Sequence, residues 1–121
     1  MNKPFHLSLG VKSIDDSVSF FKETLNASVT HQEESYTNIE VFGHQITLKP
    51  NSTIDPQLQD FHFGFNMSLE EFNQISNRVL SMSSKFVKME PKVVDSGTPM
   101  ERKKMYLQSP TGYIVELKGY Q

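Results

Sequence analysis

Phe5-His6-Leu7-Ser8-Leu9-Gly10-Val11 is echoed by Phe61-His62-Phe63-Gly64-Phe65-Asn66-Met67, 56 residues further along the chain. Both runs alternate apolar with small or polar residues, the two-residue period of a strand with one buried face. Phe5, Leu7, Leu9 and Val11 share one face, and Phe61, Phe63, Phe65 and Met67 share the matching one. His6 and His62 therefore point the other way, beside Ser8 and Gly64. Self-similarity at a fixed spacing is the mark of a duplicated unit.

Each run leads into a helix signal. Ser13-Ile14-Asp15-Asp16 and Ser68-Leu69-Glu70-Glu71 are both capping boxes, in which the serine hydroxyl takes a free backbone N–H at the helix start. Behind them Ile14, Val18, Phe21 and Leu25, and then Leu69, Phe72, Ile75 and Val79, form stripes at helical spacing. A second echo closes each half: Gly43-His44-Gln45-Ile46-Thr47-Leu48-Lys49 matches Gly112-Tyr113-Ile114-Val115-Glu116-Leu117-Lys118, at an offset of 69. The second half thus carries about 13 extra residues, which we place between Met89 and Arg102, where Pro91, Gly97 and Pro99 lie.

The reading is β (4–11), α (13–25), β (27–32), β (36–42), β (44–49), then β (60–67), α (68–82), β (85–89 or 92–95), β (102–108), β (112–118). Residues 1–50 form a first βαβββ module, 51–59 a polar linker with two prolines, and 60–121 a second module. The expected fold is α+β, with tandem modules whose curled mixed sheets surround a cleft. A unit of this size cannot bury its sheet alone, so the two must pack together or with another chain.

The 121 residues carry a net charge of −2, with 36% hydrophobic and 21% charged residues. That composition suits one ordinary globular domain and argues against disorder. No basic excess points to nucleic acid, and no apolar run approaches 18 residues, so no membrane association is expected. The start of the chain shows no signal peptide, which makes the cytoplasm the default expectation. The chain has no cysteine, which excludes disulfides, thiolate metal sites and thiol nucleophiles. Any metal must be held by nitrogen and oxygen.

The repeat relates His6 to His62 and Thr47 to Glu116. If the first and last strands of each half are neighbours, all four face the concave side of a sheet. Glu116 lies between Val115 and Leu117, so its carboxylate points away from the helix-packed face and needs a partner. Two imidazoles and one carboxylate make up a facial metal site with open positions.

The chain at this point resembles the vicinal-oxygen-chelate superfamily, which includes glyoxalase I, extradiol dioxygenases, fosfomycin-resistance and bleomycin-resistance proteins. The resemblance rests on Phe5-His6-Leu7, on Phe61-His62-Phe63-Gly64 and on Ser109-Pro110-Thr111-Gly112-Tyr113-Ile114-Val115-Glu116-Leu117-Lys118. Ser109 and Tyr113 depart from the usual pattern without touching a ligand position. Phe42-Gly43-His44-Gln45 and Gly97-Thr98-Pro99-Met100-Glu101 are similar to a branch of small dioxygenase-like members. The resemblance implies His6, His62 and Glu116 as ligands of a divalent ion (Fe2+, Mn2+, Zn2+ or Ni2+). A fourth position falls on Thr47, a poor ligand, which disfavours glyoxalase I itself. The resemblance also implies a homodimer in which His6 of one chain serves the site of the other, with closure within one chain as the alternative.

Around this set, alternation turns Ser8, Asn38, Glu40, Gln45, Thr47, Lys104, Tyr106 and Gln108 inward. We take Ser8, Asn38, Gln45, Thr47 and Lys104 as pocket residues, and Glu40 and Tyr106 as acid–base candidates. His44 and Glu101 are candidates for an outer supporting role, Glu101 from a loop; His31 reads as a surface residue. Phe42, Tyr106 and Tyr113 suggest an aromatic interior suited to a small organic substrate. The expected function is a mononuclear metalloenzyme of glyoxalase or dioxygenase type, acting on vicinal oxygens. The alternatives are a non-catalytic binding or antibiotic-resistance dimer, and a metal-dependent lyase or isomerase.

Overall fold

The computed structural model describes residues 3–56 and 61–121. The end of the expected linker and the first residue of the second module lie outside the described residues. The elements are β1 (His6–Val11), α1 (Ile14–Leu25), β2 (Ser28–Gln32), β3 (Thr37–Val41), β4 (His44–Pro50), β5 (His62–Ser68), α2 (Leu69–Met82), β6 (Val87–Val94), β7 (Arg102–Gln108) and β8 (Ile114–Tyr120). Two four-stranded sheets result, ordered β1-β4-β3-β2 and β5-β8-β7-β6. In each, first and last strands pair in parallel and the remainder are antiparallel. The fold is α+β, from two βαβββ modules with curled sheets that do not close.

Both serines cap their helices. Ser13 Oγ accepts from the Asp16 amide and Ser68 Oγ from the Glu71 amide, each at 3.1 Å. Asn26 ends α1 in the left-handed conformation (φ 57°), which asparagine tolerates better than most residues. Ser68→Ala is expected to lower unfolding stability by about 1 kcal/mol, read as a shift in denaturant midpoint at constant slope.

The strand alternation is seen directly. In β1, His6 and Ser8 are exposed while Leu9 and Val11 are buried. The apolar faces carry Ile39, Val41, Ile46 and Leu48 in the first sheet, and Met105, Leu107, Val115 and Leu117 in the second. Helices α1 and α2 cover them, through Phe20, Phe21 and Leu25 and through Phe72, Ile75 and Val79. Fully burying one such side chain contributes about 1.5–3 kcal/mol. The stripe of α1 is rotated from its sequence reading: Ile14 and Val18 are only partly buried, whereas Phe20 is fully buried. The reason is the second module, because Phe20 packs edge-on against Phe86 at 5.0 Å.

The second strand of the second module also differs from its reading. The sequence offers 85–89 or 92–95; β6 runs through both, with register shifts between Val87 and Met89 and between Met89 and Lys92. Pro91 can sit in this strand because β6 is at the sheet edge, where its missing N–H and the bulge are tolerated. The extra length of the second half is spent on this longer hairpin.

Several contacts lock the modules together. Arg78 donates to the Thr24 carbonyl (2.6 Å), and the Lys12 amide donates to Thr111 Oγ1 (3.0 Å). The Tyr113 hydroxyl donates to the Gly10 carbonyl (2.8 Å). Burial pushes the Tyr113 phenol above its usual range, and the bond to Gly10 acts the other way. A raised phenol pKa contributes stability that is complete below pH 10 and fades as pH rises through the folded value. Tyr113→Phe is therefore expected to cost about 1 kcal/mol at neutral pH and to flatten the alkaline loss of stability, measured by unfolding across pH 8–11.

Candidate functional site

The polar faces of the two sheets hold the candidate residues as two separate sets. On the second sheet, Glu116 lies directly opposite Gly64 on β5 and Tyr106 on β7. His62 is two residues from Gly64, so its ring reaches diagonally and places Nε2 3.5 Å from Glu116 Oε1. The Glu116 side chain is only 9% exposed, against 53% for His62. A carboxylate so enclosed needs compensation, and it has a second neighbour: Lys118 Nζ is 3.7 Å from the same oxygen. Lys104 Nζ donates to the Tyr106 hydroxyl at 3.3 Å and lies 5.3 Å from the ring centroid. The Tyr106 and His62 rings are 6.4 Å apart. One imidazole, one carboxylate, one phenol and two ammonium groups thus share one sheet face, and His62, Glu116 and Lys118 line a common open cleft on it.

On the first sheet, His6 lies opposite Gln45, and Thr47 lies between Ser8 and Asn38. His6 Nδ1 and Gln45 Oε1 are 2.6 Å apart. An amide oxygen can only accept, so this contact puts the proton on Nδ1 and leaves the Nε2 lone pair free. Gln45 orients the ring as the partner of a metal-ligating histidine does. Thr47 donates to Asn38 Oδ1 at 2.7 Å, which ties both pocket candidates into one pair. Glu40 is opposite Gln45 and exposed, at the rim of an open cleft that His6, His44 and Gln45 also line. Ser8 is exposed on the same face.

The chain does not bring the two sets into one centre. Among the described residues, no three His, Cys, Asp or Glu side chains are grouped closely enough to hold a metal ion. His62 and Glu116 meet; His6 stays with Gln45.

The remaining candidates sit outside this chemistry. His44 Nδ1 accepts from the Phe5 amide at 2.9 Å, and its ring packs near Phe5 and Phe65. Glu101 accepts from the Gly97 amide at 2.8 Å and so braces the β6–β7 loop. His31 pairs with Glu33 at the surface. The aromatic interior is reduced to Tyr106. Phe42 is in a tight turn with Gly43, both at positive φ, and packs edge-on against Phe65; Tyr113 is buried between the modules. Sequence reasoning missed Lys118. The same alternation that turns Glu116 inward turns Lys118 inward too, so the signal was there.

The sequence profile of the Glyoxalase/Bleomycin resistance protein/Dioxygenase superfamily matches residues 3–117. No curated protein sequence matches the chain. Among solved structures, a glyoxalase/bleomycin resistance protein/dioxygenase from Alicyclobacillus acidocaldarius superposes with a TM-score of 0.85 at 18% identity, covering 98% of this chain and 92% of that one. The genomically encoded fosfomycin resistance protein FosX from Listeria monocytogenes gives a TM-score of 0.75 at 18% identity, covering 100% and 95%. A mutant of that protein, complexed with Mn(II) and 1S,2S-dihydroxypropylphosphonic acid, gives 0.72 at 18%, covering 99% and 92%. At such identities the likeness speaks for the fold, and the profile match over almost the whole chain speaks for descent: the chain belongs to the Glyoxalase/Bleomycin resistance protein/Dioxygenase superfamily.

Proposed function

We propose that the chain is a metal-dependent enzyme in which His62 and Glu116 hold a divalent ion and His6 of a second copy completes the set. The observation that carries this reading is the 3.5 Å approach of His62 Nε2 to an enclosed Glu116 carboxylate on an otherwise open sheet face. One neutral nitrogen and one carboxylate oxygen suit Fe2+, Mn2+, Zn2+ or Ni2+. His6 supplies the third donor chemistry, since its proton is held on Nδ1 by Gln45 and Nε2 is free. It cannot supply it within the chain, so a two-fold homodimer with two equal sites follows.

When bound, the ion polarises vicinal oxygens of a small organic substrate. The chain's own groups do the rest. Tyr106, opposite Glu116, offers a phenol for proton transfer at a substrate oxygen, and the Lys104 ammonium at its hydroxyl stabilises negative charge there. Glu40 on the first sheet is the other acid–base candidate, brought in by the partner together with His6. Glyoxalase-type, dioxygenase-type and lyase or isomerase chemistries share these requirements. Oxygen consumption with catecholic substrates, against turnover of hemithioacetals or epoxides, separates them.

One observation favours a second reading, a binding module without metal: Lys118 and His62 already compensate Glu116. The test is elemental analysis after metal loading and dialysis, with sedimentation to give the assembly state. About one divalent ion per chain in a dimer supports the enzyme reading. No bound ion rejects it in favour of the binding module.

A further inference from the structure

Strands β6, β7 and β8 set Lys92, Lys104 and Lys118 directly opposite one another, as a row of three across the second sheet. Directly opposed side chains on one face have Cβ atoms about 4.5–5.5 Å apart, and like charges there destabilise the pairing. The row does not reflect a basic composition, because the chain is net negative. Nor is it a property of the repeat: Lys49, the counterpart of Lys118, faces Gly10 on β1 and has no lysine across from it. The neighbouring Lys103 goes to the helix side and bonds Asn73 Oδ1, so the row is confined to the open face.

Compensation on that face is scant. Among the described residues, Glu116 is shared between His62 and Lys118, Asp95 pairs with Arg102, and no described carboxylate pairs with Lys92 or Lys104. Lys104 and Lys118 both fold back toward the row that holds Tyr106 and Glu116. Lys118 therefore lines the cleft containing His62, and Lys104 sits at the hydroxyl of Tyr106, whose ring is 6.4 Å from that of His62.

We propose that Lys92, Lys104 and Lys118 form an oxyanion-binding subsite, and that the substrate is a small anion. Its charged group rests on the ammonium row, and its reacting oxygens lie toward His62 and Glu116. Lysine serves here as a mobile point charge, which suits a phosphate-type or carboxylate group approached from one side. The position beside a reacting centre rests on the metal reading above; the anion affinity does not.

The experiment uses the full chain, stripped of metal with chelator, at low ionic strength. Inorganic phosphate and acetate are titrated by calorimetry. Lysine-dependent binding is expected, and whichever probe binds more tightly identifies the oxyanion as tetrahedral or as a carboxylate. The double variant Lys104→Gln/Lys118→Gln is expected to bind at least about tenfold more weakly. Lys104→Arg/Lys118→Arg restores binding, and Lys22→Gln on α1 leaves it unchanged. Lys92→Gln, at an exposed position with no internal contact to lose, weakens binding by about twofold or more, which keeps the test open should the double variant fail to fold. Absence of binding, or equal affinity in native protein, Lys92→Gln and the double Gln variant, overturns the proposal and leaves an adventitious ion only. Because no metal is present, these outcomes stand apart from those of metal loading.

Discussion

His62→Ala is expected to lower divalent-ion affinity by at least about a hundredfold while leaving the fold intact. Loss of an outer partner of a ligand already costs 10–100-fold in metal sites, and loss of the ligand itself exceeds that. The fold should survive because the His62 ring is half exposed and Glu116 keeps Lys118 as a neighbour. Glu116→Gln is expected to lose the ion too, and also some stability, because Lys118 then faces an uncharged, enclosed amide. Gln45→Leu supplies the graded control. It frees the His6 ring to rotate and removes the fixed tautomer, so affinity falls by about tenfold. Calorimetric metal titration with elemental analysis checks all three. Retention of one ion per chain by His62→Ala would remove His62 from the site.

The second large effect is expected from Gly64→Ala. A Cβ at residue 64 would run into the carbonyl oxygen of Glu116 on the neighbouring strand. Backbone cannot move aside as a flexible side chain can, so β5 and β8 must separate. The cost is about 2–3 kcal/mol, at the upper end of ordinary overpacking. The separation also lengthens the His62–Glu116 approach, so stability and metal affinity fall together. Gly119→Ala discriminates. Its added Cβ would sit 2.5 Å from Phe72 Cβ, on the helix side of the same sheet. That variant should lose comparable stability in denaturant unfolding yet keep its metal affinity once folded.

These two glycines show what was readable in the sequence and what was not. The duplicated histidine runs, the paired serine caps and the two closing glycine-led strands carry periodicity, so the α+β modules could be read from them. Edges carry no such period, and the reading offers 85–89 or 92–95, on either side of Pro91, because a proline inside a strand reads as a break unless its edge position is known. Phe20 was left off the α1 stripe because its burial depends on Phe86 in the other module. At the site, alternation turned Glu116, Tyr106 and Lys104 to the polar face. It could not show that His6 and His62 stay apart within one chain, since that depends on how the sheets are set against each other. Lys118 shares the alternation of Glu116, but its ion pair with that carboxylate has no signature among ligand residue types.

The parallel pairing of the first and last strands in each module has a kinetic consequence. His6 and Gln45 are 39 residues apart, and His62 and Glu116 are further apart still, yet each pair lies on adjacent strands. Such pairs cannot be won by local zipping; the chain must first pay the entropy of closing a long loop. The hairpins β2–β3–β4 and β6–β7–β8 can form early, whereas both histidines are seated only when β1 and β5 dock. Appearance of a competent histidine–glutamate pair during refolding would therefore report completion of the module, arriving after the bulk of secondary structure.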